Sequence, residues 1–174
     1  MRVAPLAIGE SGETFLALLR EHGRMLGQVV HAYGWTEDER RDLEADVVAH
    51  LWKAFGGYDR GRPFSTWMYR IALNVAISFS RRRRELVPID EAASAPGPDL
   101  AAAGERAAQL RSLHGFISGL PPLDRALVLL YLDERSQKEI AEVLGITESN
   151  VSTKIHRIKR RLRERMGEAE GEES

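Results

Sequence analysis

Phe64, Trp67 and Tyr69 stand a few positions upstream of four consecutive arginines, Arg81 to Arg84. Guanidinium groups hold phosphates, and flat rings give unstacked bases a new surface. A second stretch, ESNVSTKIHRIKRRLRER, sets short polar side chains ahead of a basic run. From Lys154 to Arg165 it holds seven Lys and Arg residues against the single acid Glu164. Short polar groups can approach base edges while long basic ones reach the backbone. No comparable set for catalysis is present. The histidines His22, His31, His50, His114 and His156 are scattered and never take a metal-ligand spacing. Neither a glycine-rich phosphate loop nor a nucleophile elbow occurs, so no metal, cofactor or catalytic residue is expected.

Net charge is only −1, yet the charge is sorted along the chain. Two basic blocks flank a stretch between Arg84 and Arg106 that holds only the acids Glu85, Asp90, Glu91, Asp99 and Glu105. Such sorting points to two basic binding faces on either side of an acidic connector. With no cysteine, disulfides and thiolate metal sites are excluded. No apolar run reaches the ~18 residues of a membrane span, and the first residues lack a signal-peptide core, so a soluble cytoplasmic protein is expected.

The segment VPIDEAASAPGPDLAAAGE carries three of the seven prolines and reads as a linker. The expected organisation is a helical unit over 12–84, an acidic linker over 85–105, a second helical unit over 106–166 and an acidic tail over 167–174. In the first unit Phe15, Leu18, Leu19 and Leu26 fit one helical face. Thr36-x-x-Glu39 has the spacing of a capping box. In the helix that follows, Val47, Val48, Leu51 and Phe55 share an apolar side, with Asp42, Asp46, Ala49 and Lys53 opposite. Gly56, Gly57, Gly61 and Pro63 break it into a loop. A long helix resumes after Ser65, apolar almost all round, with a narrow polar stripe of Arg70, Asn74 and Arg81. Seven of the twelve aromatic residues fall between Trp52 and Phe79, and some of these simply fill the core.

The second unit reads as helix, tight turn, helix. Ser136-x-x-Glu139 is a second capping box, and Ile140, Ala141 and Leu144 face inward. Gly145 ends the helix, Ile146 plugs the turn and Thr147 caps the next helix. There Val151, Ile155, Ile158 and Leu162 form the buried side, leaving Ser149, Asn150, Ser152, Thr153, Lys154, His156 and Arg157 outward. This is a helix-turn-helix whose second helix suits a major groove.

The motifs DLEADVVAHLWKAF, RPFSTWMYRIALNVAISFSRRRR and LPPLDRALVLLYLDERSQKEIAEVLGITESNVSTKIHRIKRRL, in that order, resemble those of the group IV, or extracytoplasmic-function, sigma factors of the sigma-70 family of bacterial RNA polymerase. The resemblance covers about residues 13–84 and 106–165. It implies two all-helical domains, sigma-2 and sigma-4, and no middle domain. It further implies that Asp42, Asp46, Ala49 and Lys53 dock on the beta-prime clamp helices of core RNA polymerase. Tyr58, Arg60, Arg62, Phe64, Trp67, Arg70, Asn74, Arg81 and Arg82 would melt and read the minus-10 element of promoter DNA. Ser149, Asn150, Ser152, Thr153, Lys154, His156, Arg157, Arg160 and Arg161 would serve the minus-35 element. The beta flap and an anti-sigma factor are further implied partners, and the acidic linker would mimic nascent RNA. Three departures stand out: Ala45 replaces a frequent glutamine, Ser78 a frequent aspartate, and ESNVSTK the commoner V-K-S-R pattern. A stand-alone helix-turn-helix regulator is the alternative, although it leaves the first unit unexplained.

Overall fold

The computed structural model describes residues 10–86 and 105–171, with side chains over 11–83 and 112–165. The connector expected over 85–105 lies almost entirely outside the described residues. Eight helices make up the described chain: α1 Glu10–Glu21, α2 Gly23–Tyr33, α3 Glu37–Phe55, α4 Phe64–Leu86, α5 Glu105–Ser118, α6 Pro122–Leu132, α7 Gln137–Leu144 and α8 Glu148–Gly171. No strand occurs among the described residues.

Most boundaries follow local chemistry. Thr36 and Ser136 both form complete capping boxes, with Glu39 and Glu139 reaching back to the cap amides; such a cap is worth about 1 kcal/mol. Pro122 occupies the first turn of α6, where its missing N–H costs nothing. Gly145 takes φ 67° after α7. The Ile146 amide then bonds back to the Ala141 carbonyl at 3.1 Å, the six-residue closure of a Schellman turn. The end of α6 repeats that turn with a less suited residue. Glu134 sits at φ 57°, and the Arg135 and Glu134 amides reach the Leu130 and Tyr131 carbonyls at 3.1 Å each.

Three boundaries differ from the sequence reading. The apolar face expected to run unbroken from Phe15 to Leu26 belongs to two helices, because the chain turns at His22 and restarts at Gly23, a weak helix former. Helix α4 begins at Phe64, so Ser65 lies inside its first turn instead of ahead of it. Helix α8 continues through Gly171, into the expected acidic tail.

Helix α4 is the centre of the molecule. It packs on α2 and α3 on one side and on α6 and α7 on the other. Met68, Tyr69, Ala72, Leu73, Val75, Ala76 and Ile77 are all buried, and the two-sided packing accounts for its nearly continuous apolar surface. The two units therefore share one hydrophobic core.

Buried polar groups tie this junction together. The Arg125 guanidinium, 2% exposed, donates to the Ala32 carbonyl at 2.9 Å and to the Ser118 and Leu120 carbonyls. Those carbonyls lie at or just beyond the C-terminal ends of α2 and α5, which lack intrahelical donors and carry negative partial charge. One cation thus serves two helix ends, one from each unit. Arg135 donates to the Ser65 hydroxyl at 3.2 Å and lies 5.6 Å from the Tyr69 ring centroid.

Candidate nucleic-acid interface

Helix α8 is seated by its apolar stripe. Val151, Ile155 and Ile158 are buried, and Leu162 packs beside them. The Thr147 hydroxyl accepts from the Asn150 amide at 3.2 Å, which fixes the start of the helix. Ser149, Asn150, Ser152, Thr153, His156, Arg157, Arg160 and Arg161 are all exposed. Thr153 donates its hydroxyl to the Ser149 carbonyl at 3.0 Å, leaving an oxygen acceptor and a methyl group to face outward. Among the described residues none of the first unit's helices packs closely on α8, so this face is left open.

Lys154 corrects the reading of that face. Its ammonium is not presented outward but donates to Asp124 Oδ1 at 2.7 Å, and Arg157 reaches Asp124 Oδ2 at 3.2 Å. The reason is visible on a helical wheel. Lys154 follows Val151 by three positions and precedes Ile158 by four, so it lies on the inward stripe. A cation placed there calls for a buried anion, and Asp124 supplies it.

The loop between α3 and α4 is closed by its own short-range bonds. Asp59 accepts from the Gly61 amide at 2.9 Å, and the Tyr58 hydroxyl donates to the Arg62 carbonyl at 2.6 Å. Its rings form one cluster: Tyr58 lies 5.4 Å from Phe64 and 5.0 Å from Trp67, while Phe55 is 6.1 Å from Tyr58. Phe64 is only 5% exposed and is a core ring in this arrangement; Tyr58 and Trp67 are half-buried. Arg60 and Arg62 are exposed beside them. A cleft of about 320 Å³ opens between Trp52, Phe55, Tyr58 and Arg60. Arg62 also pairs with Glu142 of α7 at 3.2 Å, across the junction of the two units.

Arg70, Asn74 and Arg81 form the exposed stripe expected on α4. The arginine block itself is divided. Arg81 and Arg82 are exposed, with Arg82 3.8 Å from Asp46. Arg83 instead donates to Glu39 Oε1 at 2.6 Å and lies 3.8 Å from the Trp35 ring centroid. The rings near Phe64 and the arginines near Arg81 occupy opposite ends of α4, about 25 Å apart at 1.5 Å per residue. Burial pushes the Glu39 carboxyl up, but hydrogen bonds from the Trp35 and Thr36 amides and from Arg83 outweigh it and hold it below the usual range.

On α3, Asp42, Asp46, Ala49 and Lys53 are all exposed on one side. Trp52, next to Lys53, is 51% exposed. Sequence reasoning passed over Trp52 and Asp124. A tryptophan one turn after the exposed Ala49 could have been noticed; the aspartate carried no local signal. No group of acidic and histidine side chains able to hold a metal occurs among the described residues, and no described helix is long and apolar enough to cross a membrane.

Comparison with known proteins covers both units. The family profile Sigma-70 region 2 matches residues 18–85, and Sigma-70, region 4, matches residues 110–162. The ECF RNA polymerase sigma factor SigW of Bacillus subtilis is 32% identical over 156 residues, spanning 82% of this chain and 79% of its own. The RNA polymerase sigma factor CnrH of Cupriavidus metallidurans is 28% identical, spanning 92% of this chain and 90% of its own. Two solved structures share the fold. CnrH in complex with the cytosolic domain of CnrY has a TM-score of 0.66 at 24% identity, over 89% of this chain and 88% of that one. The sigma factor RpoE in complex with the anti-sigma factor NepR from Bartonella quintana has a TM-score of 0.70 at 19% identity, over 87% and 96%.

Proposed function

The chain belongs to the extracytoplasmic-function sigma factors of the sigma-70 family, and from that membership we propose how its surfaces divide the work of starting transcription. Residues 12–84 form the unit that docks on core RNA polymerase and opens the minus-10 element. Residues 106–166 form the unit that reads the minus-35 element as duplex. Ser149, Asn150, Ser152, Thr153 and His156 face base edges, while Arg160 and Arg161 hold phosphates, joined by the half-exposed Arg157.

Opening a promoter requires that unstacked bases of one strand be held better than the duplex holds them. Stacking on a ring contributes ~1–3 kcal/mol per base, against a mean of ~1.4 kcal/mol for each DNA stacking step lost. The cleft at Trp52, Phe55, Tyr58 and Arg60, with Trp67 behind it, supplies both ring surface and positive charge for that exchange. Arg70, Asn74, Arg81 and Arg82 continue the track along α4. The exposed side of α3, from Asp42 to Lys53, is the docking face for the beta-prime clamp helices, and α5–α8 meet the beta flap. An anti-sigma factor is the second class of protein partner, by likeness to the complex of RpoE with the anti-sigma factor NepR. The protein acts in the cytoplasm and catalyses no reaction of its own.

The single observation that carries this division is the sorting of exposed side chains. Short polar groups crowd the start of α8, ring edges and arginines meet at the loop before α4, and carboxylates mark α3. Run-off transcription with purified core polymerase on genomic fragments, with start sites mapped, tests it. New start sites sharing two spaced elements are expected. Tight, sequence-specific duplex binding without polymerase, and no new start sites, would instead favour the stand-alone regulator.

A further inference from the structure

We propose that Asp124 is a positioning residue for duplex reading: it fixes the rotation of α8 and keeps Lys154, with one nitrogen of Arg157, off the DNA. The inference rests on α8 being the duplex-reading helix. Asp124 lies in the first turn of α6, with its side chain 4% exposed. Its two oxygens are divided between Lys154 at 2.7 Å and Arg157 at 3.2 Å, residues one turn apart on α8. A carboxylate taken this far out of water is tenable only with such partners, because an unpaired buried charge is strongly destabilising. The positive end of the α6 dipole adds to its stabilisation.

The apolar stripe Val151, Ile155 and Ile158 holds α8 against the domain. Apolar packing is not directional. A reading helix must be held within about 0.5 Å and 10–20° for its polar groups to meet base edges. Two charge-assisted bonds to a single buried anion, from consecutive turns, supply that constraint. They also remove Lys154, and one nitrogen of Arg157, from the cations free to bind phosphates of any sequence. Discrimination is then left to Ser149, Asn150, Ser152 and Thr153. Asp124 touches no DNA in this account and acts wholly through α8.

The test uses the full chain assembled with core polymerase. The probe is a pool of promoter duplexes randomised over the minus-35 element, selected at several salt concentrations. Asp124→Asn keeps the volume and removes the charge. It should lower the enrichment of preferred over average sequences by about tenfold, the cost of misplacing one or two base contacts. Each released cation should also steepen the dependence of log K on log salt by about 0.9. Asp124→Glu should restore part of both properties. In the double variant Asp124→Asn with Lys154→Met, the salt slope should fall back by about one cation while discrimination stays poor. A merely structural aspartate would not produce that slope pattern. Unchanged enrichment and slope in Asp124→Asn would overturn the proposal, as would a uniform loss of affinity at unchanged slope. Asn150→Ala in the same selection tests the underlying reading separately: it should shift preference at one position. If it does not, α8 is not the reader; if it does and Asp124→Asn changes nothing, only the positioning role fails.

Discussion

Tyr33 donates its phenolic hydrogen to the Pro122 carbonyl at 2.5 Å, across 89 positions of sequence. Burial pushes that phenol well above its ordinary pKa, so it remains a donor throughout the neutral range. The Arg125 guanidinium lies 5.1 Å from the Tyr33 ring centroid and reaches past it to the Ala32 carbonyl. These contacts join the two units into one closed body. Yet two promoter elements about two helical turns apart are ~70 Å apart. The 18 residues 87–104 reach at most ~65 Å when extended. On the proposed division of the promoter between the two units, the closed pair has to part for both elements to be engaged.

The absence of cysteine makes that separation measurable. A donor and acceptor dye placed on Arg24→Cys of α2 and Lys138→Cys of α7 should show high energy transfer in the free protein. Transfer should drop once core polymerase and promoter DNA are added. Undiminished transfer in the open complex would mean that the units stay packed while they work. Tyr33→Phe, which removes one bond of the junction, should cost about 0.5–1.5 kcal/mol of stability in urea unfolding.

The proposed strand capture by the loop before α4 predicts a template-dependent defect. Trp67→Ala and Arg60→Ala should reduce transcription from closed duplex far more than from a template carrying a pre-opened bubble. Melting then no longer has to be driven by the ~1–3 kcal/mol per base that stacking supplies. Asn150→Ala should gain little from the bubble, because its target remains duplex. Equal losses on both templates for the loop variants would mean that these rings are only packing.

The proposed docking face on α3 predicts a charge-reversal effect. Asp46→Arg removes an exposed carboxylate that, among the described residues, pairs only with Arg82, at 3.8 Å. An exposed pair of this kind contributes little to stability, so helical content and melting temperature should change little. Affinity for core polymerase should fall about tenfold or more, as for a charge lost from an interface. Normal affinity in a competition assay against the unmodified chain would move the docking face elsewhere on the molecule.

The depressed Glu39 carboxyl predicts how the first unit responds to acid. Its folded pKa lies below the ordinary value of 4.5, so the native state favours the charged form. That stabilisation is complete above the unfolded pKa and is lost as pH falls through the folded one. Glu39→Gln keeps the capping geometry, since glutamine can complete the same box, and deletes only the charge. Urea unfolding should show the unmodified chain more stable than the variant at neutral pH, with the gap closing below about pH 4.5. A gap independent of pH would show that Arg83 gains nothing from the charge on Glu39.

What the amino-acid order determined by itself was local. Capping boxes at Thr36 and Ser136, the left-handed turn at Gly145 and the inward stripe of α8 each depend on residues within a turn or two of one another, so spacing alone reveals them. The side on which Asp42, Asp46, Ala49 and Lys53 lie is legible for the same reason. Tertiary structure decided everything that needs a partner from far along the chain. Lys154 reads as one more outward cation until Asp124, 30 positions away, is brought beneath it. Arg83 looks like part of a uniform basic block until Glu39, 44 positions away, takes its charge. Helix α4 is apolar almost all round for a reason that neither unit alone contains, namely that both pack on it. Charge satisfaction and burial belong to pairs of surfaces, and only folding decides which surfaces meet.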